Sequence, residues 1–359
     1  MKLSYMDRNT TAAIKGIALI CMFVHHFFTF PGFLIDGIVY PGLQAFADDF
    51  CEPMKICVPV FAFLTGYFYA FCKTRTFRYS LRKITDLYVS YWFVYLVILI
   101  FAVVTGSWQF SAYSVFFELT GVRTTLMVFC WYVVFYSYSM LLLPLLTKAD
   151  DHSPWEDVLL LLVLPVTLCC VLAQMELEGF LYDMVINIRN WFPGIASGYL
   201  CAKYSVFEKF FDKMVNRWPH AAGKVLIWTI MVLSGLAGRY WWQFLYAGSL
   251  EIRSGLYPIK FTADILYAPL FVYGAANLLQ YIKNTVLGRI LQQIGKYSLH
   301  MWFFHCIFFN ACRNVTQPIL YAPRLPVLVV LWGLLLCYVP SVLIDKLIRP
   351  AHKLKNRFL

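Results

Sequence analysis

The sequence predicts an all-α protein, a polytopic bundle of about ten transmembrane helices with the N-terminus and the C-terminus in the cytoplasm. Apolar residues make up 61% of the 359 residues, charged residues make up only 14%, and the mean hydropathy is +0.66. A soluble protein of this composition would have too few polar residues to cover its surface. Apolar windows of about 20 residues, the length that crosses a bilayer as a helix, recur along the chain. We expect residues 1–359 to form a single integral membrane domain.

The first candidate span, residues 12–30, differs from a cleavable signal peptide. Lys15, His25 and His26 interrupt it where a signal peptide has an apolar core, and a small-residue cleavage site is missing. The nine further spans are apolar runs between connections that are too short to fold alone. They are predicted at residues 55–72, 84–105, 126–147, 157–174, 185–202, 223–246, 261–282, 290–311 and 326–346. The sequence leaves the edges of the fifth, sixth and ninth spans open.

The basic residues predict which side of the membrane each connection faces. If the N-terminus is inside, most of the 30 lysines and arginines fall on the cytoplasmic side, which is the usual positive-inside arrangement. The net charge of +11 then indicates contact with anionic lipid headgroups rather than with nucleic acid. We expect a multi-pass protein of the cell (cytoplasmic) membrane, with membrane lipids and no nucleic acid among its partners.

The 11 cysteines form no CxxC pair, and no spacing typical of metal ligands or of a disulfide framework is present. Cysteines inside the spans act as small apolar residues. The sequence therefore predicts no metal site and no permanently bound cofactor.

The first span carries the candidate catalytic residues, His26 and Lys15. Eleven helical steps of about 100° bring both side chains to one face, about 16 Å apart along the axis. Ionisable residues inside a membrane span are costly and usually functional. A general base needs a neutral imidazole, and removal from water favours that form. The alternative for His26 is a structural histidine that bonds a neighbouring helix. His25 points about 100° away, which favours a supporting or packing role.

The inner loop at residues 73–83 is the second candidate site, since it contains Arg75, Arg78, Arg82 and Lys83. Arginine binds phosphate through a bidentate fork. A cytoplasmic donor that carries phosphate groups is therefore one interpretation of this loop, and a positive-inside anchor is the other.

Further candidates lie in aromatic segments of later spans. His305 either contacts substrate or bonds a neighbouring helix, and His300 on the same segment has no predicted role. Trp131, Tyr132 and Trp302 either line a substrate pocket or act as packing and interface anchors.

Several segments together resemble acyltransferase family 3, a family of integral membrane acyltransferases. The first span has the family's basic residue, ten residues and histidine, with Lys15 in the place more often held by arginine. The other segments are Phe63-Leu64-Thr65-Gly66-Tyr67-Phe68, Trp131-Tyr132-Val133-Val134-Phe135-Tyr136 with Leu141-Leu142-Leu143-Pro144-Leu145-Leu146, Trp191-Phe192-Pro193-Gly194-Ile195-Ala196-Ser197-Gly198-Tyr199, and Ile294-Gly295-Lys296-Tyr297-Ser298-Leu299 running on to His305. The resemblance covers residues 8 to about 346.

One family feature, an Arg-x-x-Arg pair before the third helix, fits two registers. The pair is kept at Arg75 and Arg78 in one register. In the other, Leu87-Tyr88-Val89-Ser90-Tyr91-Trp92 matches the family's Leu-Tyr-Pro-x-Tyr-Trp, and the donor-phosphate role falls on Lys83 and its neighbours.

The resemblance implies a membrane O-acyltransferase that takes a short acyl group, most simply acetyl, from acyl-CoA (acetyl-CoA) in the cytoplasm. The acceptor would be a hydroxyl of a cell-envelope glycan or a lipid-linked sugar at the outer face. His26 would act as the general base, although an acyl-histidine intermediate is also open. The alternative from another class is a transporter or flippase for a glycan intermediate, with His26 and Lys15 as a proton relay.

Overall fold

The computed structural model describes residues 6–35, 50–148, 153–175, 177–250 and 264–358, and all regular elements in these ranges are helical. The helices are α1 (Arg8–Phe28), α2 (Cys57–Ala70), α3 (Phe77–Val104), α4 (Ala112–Thr120), α5 (Trp131–Leu146), α6 (Pro154–Leu172), α7 (Gly179–Lys203), α8 (Ala221–Leu250), α9 (Asp264–Ile282), α10 (Val286–Lys296), α11 (Ser298–His305), α12 (Arg313–Leu320) and α13 (Pro326–Phe358). A 3₁₀ helix (Glu52–Ile56) runs directly into α2, and another (Cys306–Phe308) follows α11. The predicted all-α class is confirmed.

Seven helical segments in the described part of the chain are long and apolar enough to cross a membrane. They comprise α1, α2 with its preceding 3₁₀ helix, α3, α6, α8, α9 and α13. The fourth predicted span corresponds to α5, which has 16 residues, and the sixth to α7, which carries Asp183 and Arg189. The ninth corresponds to α10 and α11, which meet at Tyr297. Residues 261–263 of the eighth lie outside the described residues. The count of about ten spans and the cytoplasmic termini stay predictions.

Helix α1 forms because its ends are capped and its interior contains neither proline nor a charged run. The Asp7 carboxylate accepts a hydrogen bond of 2.7 Å from the Thr10 amide, which satisfies an otherwise unpaired group of the first turn. The helix lies at the centre of the bundle, where it contacts α2, α9, α10, α11 and α13. Both candidate catalytic residues therefore sit on an enclosed helix rather than on a peripheral one.

Two pairs of glycines allow helices to cross at backbone contact. A Cβ atom on Gly16 of α1 would collide with the Leu291 carbonyl oxygen of α10, and one on Gly295 would collide with the Ala12 carbonyl oxygen. Gly66 of α2 and Gly198 of α7 face each other's helices in the same way. Small residues permit this close approach, which replaces the hydrophobic effect as a source of helix association inside lipid. The first crossing fixes α10, and with it Lys296, beside the Lys15 segment of α1.

Candidate functional site: a cavity between Lys15 and His26

A cavity of about 650 Å³ lies beside α1 and is lined by both Lys15 and His26. Residues of α2, α3, α5, α10, α11 and α13 complete its wall. Lys15 and His26 are eleven residues apart on an unbroken α-helix, so the cavity extends roughly 16 Å along the axis of α1. The two residues that the sequence places on one helix face thus share one cavity.

The Lys15 end of the cavity is rich in charge. Its charged lining residues are Lys15, Lys83, Asp86, Lys296, Asp345 and Arg349. Lys15 and Lys83 are close enough for their charges to interact, and Arg349 forms a 2.8 Å ion pair with Asp345 one turn earlier on α13. Because the cations outnumber the carboxylates here, this end attracts anions.

His26 lies at the other end of the cavity and is held by aromatic rings and by a second histidine. Its Nδ1 is 2.7 Å from Nε2 of His305, and the two rings stack with their centroids 4.9 Å apart. Phe129 also stacks on His26, at a centroid distance of 4.0 Å. His305 is fully buried, and its own Nδ1 contacts the carbonyl oxygen of Trp302. The imidazole of His26 is held in one orientation while it lines the cavity.

His25 is not among the residues that line the cavity and has different partners. Its Nδ1 lies 3.2 Å from the Cys51 carbonyl oxygen, 3.1 Å from Oγ1 of Thr29 and 3.5 Å from a carboxylate oxygen of Glu52. The side chain is 2% exposed. His25 therefore fastens the segment before α2 to the end of α1, in keeping with the predicted supporting role.

The loop that carries Phe129 to His26 is ordered by Glu118 at the end of α4. One carboxylate oxygen of this buried residue accepts hydrogen bonds from the amide and hydroxyl of Thr125 and from the amide of Leu126, the last at 2.9 Å. Burial raises the pKa of Glu118, although these hydrogen bonds act in the opposite direction. The loop between α4 and α5 is thus tied down three residues before Phe129.

The basic residues of the loop at 73–83 fall into two groups. Lys83 lines the cavity, whereas Arg75, Arg78 and Arg82 are not among its lining residues. Arg75 donates a 2.6 Å hydrogen bond to the Tyr199 hydroxyl and packs over its ring, and Arg78 and Arg82 have exposed side chains. The sequence allows two registers for the basic pair. Only the register that gives the donor role to Lys83 has its basic residue at the cavity.

The aromatic residues predicted to form the pocket differ in whether they line the cavity. Trp131, Tyr132 and Trp302 line the cavity, and the Tyr132 and Trp302 rings meet edge to face with centroids 5.8 Å apart. His305 does not line it and instead lies behind His26. The helix-to-helix hydrogen bond, one of the two predicted alternatives for His305, is the arrangement present.

Some lining residues had no predicted role at the sequence level. Lys296 belongs to the family-like segment Gly295-Lys296-Tyr297-Ser298, so the resemblance could have indicated that it lines the site. Arg349 lies beyond the predicted end of the last span at residue 346, but α13 continues past it and brings it to the cavity. His300 also lines the cavity and is 6% exposed.

The arrangement suits transfer of a group from an anionic donor to an acceptor that must lose a proton. Cations at one end can bind phosphate groups, and an oriented imidazole at the other can take a proton. Within the described residues, no group of three or more His, Cys, Asp or Glu side chains is placed to hold a metal ion.

Comparison with known proteins identifies the family of this chain. The family model of acyltransferase family 3, described as an acyltransferase domain, matches residues 9–346. No match to the chain was found among curated proteins or solved structures. The match covers nearly the whole sequence and includes all the residues placed at the cavity except Ile348 and Arg349. The chain therefore belongs to acyltransferase family 3 and is a multi-pass membrane enzyme that transfers acyl groups other than aminoacyl groups.

Proposed function

We propose that this enzyme moves a short acyl group, most simply acetyl, from acyl-CoA to a hydroxyl of a cell-envelope glycan or a lipid-linked sugar. The observation that carries the proposal is the single cavity lined by Lys15 at one end and His26 at the other. The donor occupies the Lys15 end from the cytoplasm, and the acceptor reaches His26 from the opposite side of the membrane. The basic residues near Lys15 support this orientation through the positive-inside rule.

The proposed donor site is the set of cations at the Lys15 end, namely Lys15, Lys83, Lys296 and Arg349. These side chains bind the phosphate groups of the donor. The prediction from the sequence gave that role to Arg75, Arg78, Arg82 and Lys83, and the proposed site keeps only Lys83 of that set. The extended arm of the donor then spans the roughly 16 Å to His26. Lysine binds phosphate as a flexible point charge, so the site needs no fixed fork geometry.

The proposed reaction is a direct transfer with His26 as general base. The imidazole takes the proton of the acceptor hydroxyl as its oxygen attacks the thioester carbonyl. A C–O bond forms, the C–S bond breaks, and the proton passes from His26 to the leaving thiolate, so atoms and charge balance. General-base assistance of this kind contributes typically about 10²–10⁴-fold in rate. Trp131, Tyr132 and Trp302 surround the acceptor or the acyl group in this arrangement.

The test uses membrane vesicles of known orientation that contain the wild-type protein or His26→Ala. Labelled acetyl-CoA is supplied on the cytoplasmic face, and an acceptor glycan is confined to the opposite face. We expect label on that acceptor with the wild-type protein and a loss of at least 100-fold with His26→Ala. Transfer only to acceptors on the donor's own face would overturn the proposed sidedness. Movement of an unmodified glycan without consumption of acetyl-CoA would support a transporter instead.

A further inference from the structure

The hydrogen bond between His26 and His305 links the cavity to a carbonyl group at the end of α11. Helix α11 ends at His305, where the Cys306 amide bonds to the carbonyl oxygens of Phe303 and Phe304. In a regular α-helix, that amide would bond to the carbonyl oxygen of Trp302, four residues earlier. The tightened end leaves the Trp302 oxygen available, and Nδ1 of His305 contacts it.

The identity of these partners determines where each proton lies. A carbonyl oxygen can only accept, so Nδ1 of His305 carries a hydrogen and donates it to Trp302. In a neutral imidazole, the other nitrogen is then an acceptor, so Nε2 of His305 accepts from His26. Since these two nitrogens are 2.7 Å apart, Nδ1 of His26 must be the donor. The lone pair of His26 is therefore on Nε2.

Aromatic rings enclose the imidazole of His305. The side chain is 0% exposed, and the rings of Phe23, Phe129 and Phe309 lie with their centroids within 6 Å of its own. With one hydrogen on each imidazole ring, the hydrogen bonds from Trp302 through His305 to His26 have one consistent direction.

We propose that His305 is a positioning residue that holds His26 in the tautomer with its lone pair on Nε2, ready to accept the acceptor's proton. The same bond stabilises the imidazolium that forms when Nε2 takes that proton, because His305 still accepts from Nδ1. Trp302 supplies the carbonyl oxygen that Nδ1 of His305 contacts, and the Cys306 thiol lies 3.9 Å from the same oxygen. This inference rests on the proposed role of His26 as general base.

The test compares three substitutions of His305 that differ in where they place an acceptor atom. His305→Gln carries an amide oxygen about as far along the side chain as Nε2, so it can still accept from His26. His305→Asn is one methylene shorter, so it can bond Trp302 but does not reach His26. His305→Phe keeps the ring and removes both nitrogens. We expect His305→Asn and His305→Phe to lower kcat by one to two orders of magnitude at an unchanged apparent KM for acetyl-CoA. His305→Gln should keep most of the wild-type kcat.

Tyr321→Phe is the matched control, because the Tyr321 hydroxyl donates a buried 2.6 Å hydrogen bond to the Phe27 carbonyl oxygen of the same helix α1. It should lower the thermal unfolding temperature about as much as the His305 variants do and leave kcat unchanged.

A wild-type kcat in His305→Asn or His305→Phe, or an equal loss of kcat in His305→Gln and His305→Asn, would overturn the inference. If His26→Ala itself keeps full activity, the proposed function fails first. If His26→Ala is inactive while His305→Asn and His305→Phe are fully active, only the role of His305 fails.

Discussion

The two ends of the cavity are built in opposite ways. At the His26 end, the side chains are short and bonded to specific partners: His26 to His305, which is fully buried, and His305 to Trp302. At the Lys15 end, the side chains are long, and those of Lys83, Lys296 and Arg349 are exposed. Proton transfer requires atoms held within hydrogen-bond distance in a fixed orientation, whereas attraction of phosphate requires only charge within reach.

Because the two ends differ in this way, we expect substitutions at each end to change a different kinetic constant. Loss of an oriented group at the His26 end removes stabilisation of the transition state and lowers kcat. Loss of one of several cations at the Lys15 end weakens donor binding and raises the apparent KM. The predictions below test that separation, from the largest expected effect to the smallest.

The largest effect is expected from His26→Ala. Without the base, kcat should fall by about 10²–10⁴-fold. The protein should still insert into the membrane, although loss of the bond to His305 should lower its thermal stability slightly. Acyl transfer in purified, detergent-solubilised protein measures the loss. His25→Ala is the control, since it removes the contacts to Cys51, Thr29 and Glu52. It should cost mainly stability, and an equal loss of kcat in both variants would contradict the separation.

A smaller effect is expected from the cations of the other end. Lys15→Ala and Lys83→Ala should each raise the apparent KM for acetyl-CoA by about threefold to tenfold, corresponding to about 0.6–1.4 kcal/mol, with kcat little changed. Lys15→Arg should be tolerated because the charge is kept. The apparent KM should also rise with ionic strength, since salt screens exposed charges. A wild-type KM in Lys83→Ala, together with a raised KM in Arg75→Ala or Arg78→Ala, would favour the other register.

A stability effect is expected at Glu118, which ties the loop before Phe129. Its ordinary pKa is 4.5 and burial raises it in the folded protein. The folded state therefore holds the proton more tightly than the unfolded state, and the free energy of unfolding falls as pH rises through the folded pKa. Glu118→Gln keeps an accepting oxygen without the charge, so its thermal unfolding should lose this pH dependence.

Glu118→Ala is the contrasting variant at the same position. It removes all three accepted hydrogen bonds and should destabilise the protein by on the order of 2 kcal/mol. It should also lower kcat severalfold, because Phe129 is less firmly held against His26. Thermal unfolding of the three proteins between pH 4 and pH 8 measures both effects. Equal stability of the Gln and Ala variants would show that the accepted bonds do not order the loop.

The smallest effect is expected from Arg82→Ala. Its side chain is exposed and is not among the residues that line the cavity. We expect kcat and the apparent KM for acetyl-CoA to stay within about twofold of wild type, as for most surface substitutions. A tenfold rise in the apparent KM would extend the donor site beyond the cavity.

Several features of the fold were accessible from the sequence because they depend on local composition. Long apolar runs predict helices in lipid, since a helix pairs its own backbone groups. Seven of the predicted spans correspond to helices long and apolar enough to cross a membrane. The break at Tyr297 was not predicted, because apolar residues on both sides hide a change of backbone direction from a hydropathy pattern.

The sequence by itself determined the membrane class, the helical fold and the common face of Lys15 and His26, since helical periodicity alone relates two residues on one helix. Only the tertiary structure decided which partners those residues have. His305 is 279 positions from His26, and Arg349 comes from the last helix, so no local pattern joins them to α1. The packing of α1 against α11 and α13 brings them together. Such contacts arise from packing between distant segments, which periodicity within one segment does not encode.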